Sequence, residues 1–195
     1  MPYSTLATVK EYLGLDGTDS EDDQVTAALN AADDRIDKWC GRTFAVAAAV
    51  STRTCGPWDG SLVRLPAELF KLDDLVVKVD TADDGVYDTT LTAAEYFVRG
   101  DQAPYRDLIR VSGVWPQPRS GRPSVEVEGF YGYETAVPEA VVQASTMLAA
   151  RLYQRRSSPL GFQAGIGAEL GAVRVSRMDH DVAALLTGYR RLAVA

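Results

Sequence analysis

The chain has 195 residues, 46% of them hydrophobic and 24% charged, with a formal net charge of −7. This composition is typical of one globular domain, or of one domain with a large insertion, and it argues against disorder. The acidic balance argues against a dedicated DNA-binding protein, whose domain pI typically exceeds about 9.

No apolar run approaches the roughly 20 residues that a membrane helix needs. Residues Met1–Thr8 lack a basic region followed by an apolar core, so we expect no secretory signal and a cytoplasmic protein. Cys40 and Cys55 are too few for a disulfide framework, and with His180 as the single histidine they cannot form a paired Cys/His zinc site. We therefore predict two reduced thiols and no metal.

Two helices are predicted at the start of the chain. Ser4 or Thr5 can cap the first, which Gly14 and Gly17 should end. The acidic loop 16–23 leads into a longer helix that Gly41 ends in a left-handed conformation. Its apolar residues recur at steps of three and four: Val25, Ala28, Leu29, Ala32, Ile36, Trp39 and Cys40. We expect the opposite face to be exposed and to carry Asp33, Asp34, Asp37 and Lys38.

Between residues 44 and 136 the pattern favours short strands separated by turn residues. Val125 and Val127 alternate with Glu126 and Glu128, as in a strand with one solvent-facing side. The predicted strands are Leu62–Leu65, Leu75–Val79, Tyr96–Arg99, Leu108–Val111 and Ser124–Glu128. We predict an antiparallel sheet here, whose aromatic end, Gly129–Tyr133, packs against the helical part.

Helical periodicity returns after Pro138, which suits the first turn of a third helix because its missing N–H costs nothing there. A loop with four glycines follows at residues 157–171, and loops of that length are commonly functional. Asp179 can cap a short last helix. The predicted fold is α+β, with an antiparallel helical core from 1–43 and 137–195 and a β-rich insertion at 44–136.

No constellation predicts an enzyme or a cofactor site. His180 stands between Asp179 and Asp181, but adjacent helical residues do not face each other, so neither aspartate can orient the imidazole as a catalytic triad does. Gly165, Gly167 and Gly171 miss the spacing of a phosphate loop. No serine lies in a nucleophile elbow. We predict no catalytic residue and no cofactor.

Charge is unevenly distributed along the chain. Residues 1–137 hold 23 acids and 13 bases, whereas residues 138–195 hold 4 acids and 7 bases, all arginine. One interpretation is that two solvent-exposed faces of the protein carry net charges of opposite sign. The other is that unlike faces meet different partners, or meet each other in a ring.

Six segments carry a resemblance to a known family. Leu6–Leu15 (LATVKEYLGL), Ala27–Ile36 (AALNAADDRI) and Trp39–Phe44 (WCGRTF) give a short helix, an acidic loop and a long helix that ends in a Gly-Arg-Thr-Phe turn. Val137–Ala144 followed by Arg151–Arg155, and Val114–Pro116 before a strand, complete the set. In this order they resemble the head-to-tail connector, or adaptor, proteins of tailed bacteriophages, in the long form with a β insertion.

The resemblance implies a structural virion protein, assembled in the host cytoplasm, that forms a ring, usually of twelve subunits. Such a ring docks on the portal, contacts the stopper or a tail-completion protein, and extends the DNA channel without sequence-specific DNA contact. It implies a C-terminal portal-docking arm within 172–195 that includes Arg174, Arg177, Tyr189 and Arg191.

A closed ring needs two unlike faces, and charge suggests where they lie. The intersubunit residues predicted on this basis are Asp33, Asp34, Asp37, Arg151, Arg155 and Arg156. Two alternatives stay open. One is a head-closure or tail-terminator ring protein, and the other is a cytoplasmic binding module with a ligand pocket in the β insertion.

Overall fold

The structure is a computed structural model, and it describes residues 2–15, 17, 19–156 and 179–191. The chain divides into a helical unit, Met1–Gly41 with Val137–Ala195, and a β unit, Arg42–Ala136. Helices in one unit and an antiparallel sheet in the other confirm the predicted α+β class. Within the described ranges, no helix has both the length and the apolar character needed to cross a membrane.

The helical unit contains four α-helices and two 3₁₀ turns in its described part. The helices are α1 (Leu6–Leu13), α2 (Asp22–Cys40), α3 (Glu139–Arg155) and α4 (His180–Leu186). The 3₁₀ turns, Asp19–Glu21 and Thr187–Tyr189, precede α2 and follow α4. Helix α3 packs against the other three helices, so it forms the centre of the unit.

The helix ends follow from local chemistry. Thr5 caps α1 by accepting the Thr8 N–H at 3.1 Å, and Gly14 and Gly41 end α1 and α2 with φ of 69° and 68°. Asp179 caps α4 by accepting the Asp181 N–H at 3.0 Å. These caps match the sequence prediction, because each depends on a residue type that satisfies a free backbone group nearby.

Small residues on α3 allow close packing against α2. Ala144 and Ala149 are fully buried on α3, and Ala32 is fully buried on α2. The core of the unit also contains Val9, Val25, Leu29, Ile36, Cys40, Val141, Leu148, Val182 and Leu186. Burial of these apolar side chains is the main stabilising contribution to this unit.

The β unit contains one six-stranded antiparallel sheet. Its strands are β1 (Ser51–Cys55), β2 (Leu62–Val79), β3 (Thr89–Leu91), β4 (Tyr96–Arg99), β5 (Tyr105–Arg110) and β6 (Val125–Tyr131). The order is β1-β6-β2-β5-β4, and β3 pairs with the end of β2. Gly129–Tyr131, predicted as a packing segment after the last strand, belongs to β6 itself.

Strand β2 organises the sheet. Its first half, from Leu62 to Leu69, pairs with β5, and its second half pairs with β6 and β3. The register shifts between Leu69 and Val76, where Asp74 has a positive φ of 61°. The two strands predicted at Leu62–Leu65 and Leu75–Val79 are therefore one irregular strand, a difference that arises because bulges interrupt the alternation that marks a strand.

The sheet encloses a core of its own. Trp115 is fully buried, and its indole N–H donates to the Ser61 carbonyl at 2.7 Å. Around it lie Val63, Leu65, Leu69, Val77, Val79, Leu108, Val125, Val127 and Tyr131. A fully buried tryptophan with a satisfied N–H contributes a large apolar area without an unpaired donor.

Candidate interaction surfaces

The predicted intersubunit residue Asp33 lies inside the helical unit rather than on an exposed face. Its carboxylate accepts hydrogen bonds from Ser145 Oγ at 2.6 Å and from the Tyr3 N–H at 2.9 Å. Burial raises the pKa of Asp33, and these two hydrogen bonds partly oppose the effect. Asp33 therefore joins the N-terminal segment, α2 and α3. Its role between subunits stays a prediction.

The two other predicted aspartates of α2 differ in their surroundings. Asp37 is half-buried and accepts a hydrogen bond from the Tyr3 hydroxyl, so it was wrongly placed on the exposed face as well. Asp34 is exposed and pairs with Lys38 one turn later. The contacts of Tyr3 with these two acids could not be predicted from the sequence, because Tyr3 lies about 30 positions away from both of them.

The arginines at the end of α3 were predicted to meet another subunit, and two of them form ion pairs within the unit. Arg156 contacts Glu21 at 2.5 Å, and the Tyr153 hydroxyl donates to the same carboxylate at 3.1 Å. The hydrogen bond from Arg156 is the main cause that lowers the pKa of Glu21. This cluster links the end of α3 to the start of α2.

Arg151 pairs with Asp179, the cap of α4, and lies 3.7 Å from Asp181. Arg155 is exposed, and no ion pair of Arg155 is found in the described part of the chain. It is thus the predicted intersubunit arginine that the described helical unit leaves available to a partner.

The predicted docking residues lie partly within the described ranges. Arg191 donates its backbone N–H to the Cys40 carbonyl at 2.7 Å, and its guanidinium lies 3.4 Å from the Gly41 carbonyl. The Arg190 guanidinium lies 4.9 Å from the centre of the Trp39 ring. Residues 187–191, which include Tyr189, therefore return to the end of α2. Arg174 and Arg177 lie outside the described residues.

An acidic surface surrounds the turn between α1 and α2. Lys10 is buried beneath it and donates to Asp22 at 2.6 Å, which is the main cause that raises the pKa of Lys10. Asp19, 3.5 Å from the same amine, has a side chain 93% exposed. We define the acidic surface as Glu11, Tyr12, Asp19 and Asp23, all exposed, with Tyr12 60% exposed.

The β unit carries a second candidate surface on β2, β5 and β4, where the Arg99 side chain is exposed and those of Arg64 and Asp107 are half-buried. Register places Arg64, Asp107 and Arg99 in one row, because directly opposed residues of antiparallel strands share a face. Asp107 accepts the Nε–H groups of Arg64 and Arg99, each at 3.1 Å. Burial alone would raise the pKa of Asp107, but the two arginines hold it below its usual value.

Aromatic side chains flank this charged row. The Arg64 guanidinium lies 4.8 Å from the centre of the Trp58 ring, and Trp58 is 58% exposed. Phe97, opposite Ile109 in the adjacent row, is 48% exposed. We call this set of residues, Trp58, Arg64, Phe97, Arg99 and Asp107, the arginine–aromatic face.

Two exposed valines extend the apolar part of this region. Val114, 66% exposed, lies against Gly60 in the turn that follows Trp58. Val111, 57% exposed, follows β5 directly and donates its N–H to the Glu95 carbonyl. This surface cannot be predicted from the sequence, because only strand pairing brings residues from 58 to 114 together.

A buried ion pair lies where the chain enters and leaves the β unit. Arg42 contacts Glu68 at 3.5 Å, and its guanidinium lies 4.8 Å from the centre of the Tyr133 ring. Gly132, between the same segments, approaches the backbone so closely that a Cβ there would lie 2.4 Å from Val46 Cα. These contacts hold the first and last segments of the unit together, which is a structural role.

The described residues show no chemistry that points to catalysis. His180 is exposed at the first turn of α4, and the Asp179 carboxylate is occupied by its cap and by Arg151. Cys40 and Cys55 are buried, and burial raises the pKa of Cys55 to about 12, away from a reactive thiolate. No group of three or more His, Cys, Asp and Glu side chains in these ranges is arranged so that it could hold a metal ion.

No protein-family model and no curated protein matches the chain. Solved structures do. A chain in the neck of an empty gene transfer agent particle, computed with C6 symmetry, is 24% identical with a TM-score of 0.66 over 99% of this chain and 92% of its own. A chain of the native gene transfer agent virion is 23% identical with a TM-score of 0.63, over 99% and 92%.

A third similar structure comes from the neck of the native particle, computed with C12 symmetry. It is 19% identical with a TM-score of 0.60, over 100% of this chain and 96% of its own. These neighbours come from particle necks and a virion, not from enzymes. Because the sequence identities are below 25%, the structural likeness shows a shared fold. The aligned region includes both the helical unit and the β unit.

Proposed function

We propose that this chain is a structural neck protein of a tailed-phage-like particle, where it forms a head-to-tail adaptor ring between the portal and the stopper or tail. The main support for this proposal is the shared fold. The likeness to a chain from a particle neck covers 99% of this chain and 92% of that one. Because both units are included, the likeness extends beyond a common helical hairpin. The connector-like segments Leu6–Leu15 and Trp39–Phe44 point to the same role independently.

A ring is the form of assembly that this proposal requires. The neighbouring necks were computed with C6 and C12 symmetry, which supports a cyclic arrangement of identical copies. Cyclic assemblies use one face of a subunit against a different face of the next. The acidic surface and the arginine–aromatic face are two such unlike faces on this chain.

The net charge of −7 suits a ring through which DNA passes. An acidic lumen repels phosphates, so DNA moves through it without being held. We propose DNA as a passing cargo, the portal as the partner above the ring and a stopper or tail-completion protein below it. A C-terminal arm within 172–195 remains our proposed contact with the portal.

The test is genetic removal followed by complementation. Particles made without this chain should accumulate as DNA-filled heads separate from tails, and added wild-type protein should restore joined particles. Electron microscopy counts both classes. Normally joined particles in the absence of the chain would overturn the proposal.

Binding assays with the same particle's components assign the position in the neck. An adaptor binds purified portal rings directly and adds a ring of density at their tail-facing end. A tail-terminator instead binds purified tails and leaves portal rings bare. The head-closure protein binds only portals that already carry an adaptor.

A further inference from the structure

We infer that the arginine–aromatic face is the surface through which one copy of this chain binds the acidic surface of the next copy. The inference rests on the proposed ring and specifies its subunit contact. It names a second copy as the occupant, contributing Glu11, Tyr12, Asp19 and Asp23.

Exposed apolar area is concentrated at this face. Seven large hydrophobic side chains lie most exposed in the described ranges, and four of them lie on or beside the face: Trp58, Phe97, Val111 and Val114. A clustered exposed apolar patch marks an interaction site more often than scattered exposed residues do. The remaining three are Tyr12, Leu72 and Val86.

The face is also organised before any partner binds. Arg64 and Arg99 both donate to Asp107, which fixes their guanidinium groups in one row, and Arg64 holds the Trp58 ring. Tryptophan and arginine are enriched among the residues that dominate interface energies. Because the side chains are already ordered, binding loses less conformational entropy.

Charge and residue type select the acidic surface as the counterpart. The face presents two arginines with one compensating aspartate, whereas the acidic surface presents three carboxylates and one tyrosine, with Lys10 buried beneath. Tyr12 is the most exposed large hydrophobic residue in the described part of the helical unit. An aromatic residue among acids thus complements aromatic residues among arginines, which favours a fixed orientation of the two copies.

Strand β4 supports the same assignment, since it lies at one end of the strand order and pairs only with β5 in the described sheet. An open edge strand exposes backbone groups that a partner can cover. Phe97 and Arg99 lie on this edge strand, so a copy seated on the face would also shield the edge.

The test uses two variants that each disable one surface. The face variant carries Trp58→Ala and Phe97→Ser, and the acidic variant carries Tyr12→Ala and Asp23→Lys. A control with Leu72→Ala and Val86→Ser removes equally exposed apolar groups of the β unit elsewhere. Circular dichroism and thermal unfolding verify that each is folded, and the milder Trp58→Gln and Asp23→Asn replace any variant that is not.

Sedimentation velocity then measures assembly at concentrations up to about millimolar, where even weak self-association is populated. We expect wild type and control to form rings and each variant alone to stay monomeric. An equal mixture of the two variants should give heterodimers only, since each copy retains one working surface.

Three results overturn the inference. The first is wild-type protein that stays monomeric at millimolar concentration. The second is a face variant that still forms rings. The third is a mixture that gives no heterodimer, which assigns the face to another partner. None of these depends on whether removal of the chain separates heads from tails, so failure of the interface and failure of the proposed function are distinguishable.

Discussion

Ser145 Oγ donates a hydrogen bond of 2.6 Å to the carboxylate of Asp33, 112 positions earlier in the chain. The same carboxylate accepts the Tyr3 N–H, and nearby Ser4 Oγ lies 2.7 Å from Thr146 Oγ1. Three separate segments of the helical unit are thereby held by polar contacts in a half-buried site. Hydrogen bonds of this kind specify the position of the N-terminal segment, because a half-buried carboxylate without partners is costly.

We expect Asp33→Asn to change how stability depends on pH. The pKa of Asp33 is raised by burial above 3.8, so the folded state binds its proton more tightly than the unfolded state does. The stabilisation that protonated Asp33 contributes is therefore fully present below its pKa in the unfolded state, and it is lost as pH rises through its pKa in the folded state. The free energy of unfolding of Asp33→Asn should therefore approach that of wild type as pH rises over this range. Urea unfolding at several pH values measures the difference. Equal differences at both ends of the range would contradict this assignment.

Arg156→Met should raise the pKa of Glu21 towards its ordinary value of 4.5, because the hydrogen bond from Arg156 is the main cause of its depression. Carbon-detected NMR titration of the Glu21 carboxyl measures the shift. Tyr153→Phe removes a weaker hydrogen bond and should give a smaller increase. The stabilisation by this pair is present above the unfolded pKa and is lost as pH falls through the folded pKa.

Gly132→Ala should destabilise the β unit by about 2–5 kcal/mol, from overpacking and from a strained backbone. The residue has a φ of 151°, and an added Cβ would lie 2.4 Å from Val46 Cα. Gly56→Ala is the matched control, since nothing lies within 4 Å of a Cβ at that position. Chemical unfolding followed by fluorescence compares the two, and similar losses for both would show that Gly132 is not a tight approach.

Trp115→Ala should reduce folding stability far more than Trp58→Ala, whereas Trp58→Ala should mainly affect self-association. Trp115 is fully buried and hydrogen-bonded, so its removal should cost about 3–5 kcal/mol of unfolding free energy. Trp58 is 58% exposed and its main described contact is with Arg64, so its removal should cost about 1 kcal/mol or less while weakening self-association. Thermal unfolding and sedimentation measure the two effects. Equal destabilisation by both substitutions would contradict the burial difference.

Neither cysteine should react with iodoacetamide at neutral pH while the protein is folded. Cys40 and Cys55 are buried, and the pKa of Cys55 is raised to about 12, so the thiolate is scarce and shielded. Mass spectrometry should find both thiols alkylated only after denaturant is added. Rapid labelling of Cys55 in buffer would show that the end of β1 opens frequently.

The helix ends and the fold class were predictable because they depend on short-range patterns. Thr5, Gly14, Gly41 and Asp179 act within a few residues of their own position, and helical periodicity marks α2 and α3 directly. Strands were less predictable. The bulges near Asp74 interrupt the alternation in β2, and the short β3, Thr89–Leu91, has too few residues to show one.

Residue type and spacing alone were enough to predict the α+β class and the helix caps, since both depend on short-range patterns. That the Asp33 side chain meets Ser145 is seen only in the tertiary structure. Acidic and small residues lie next to each other on that part of α2, so the sequence pattern does not show which of its sides is exposed. The arginine–aromatic face is likewise formed only in the folded protein. Arg64, Asp107 and Arg99 become neighbours only through strand register, which long-range pairing sets.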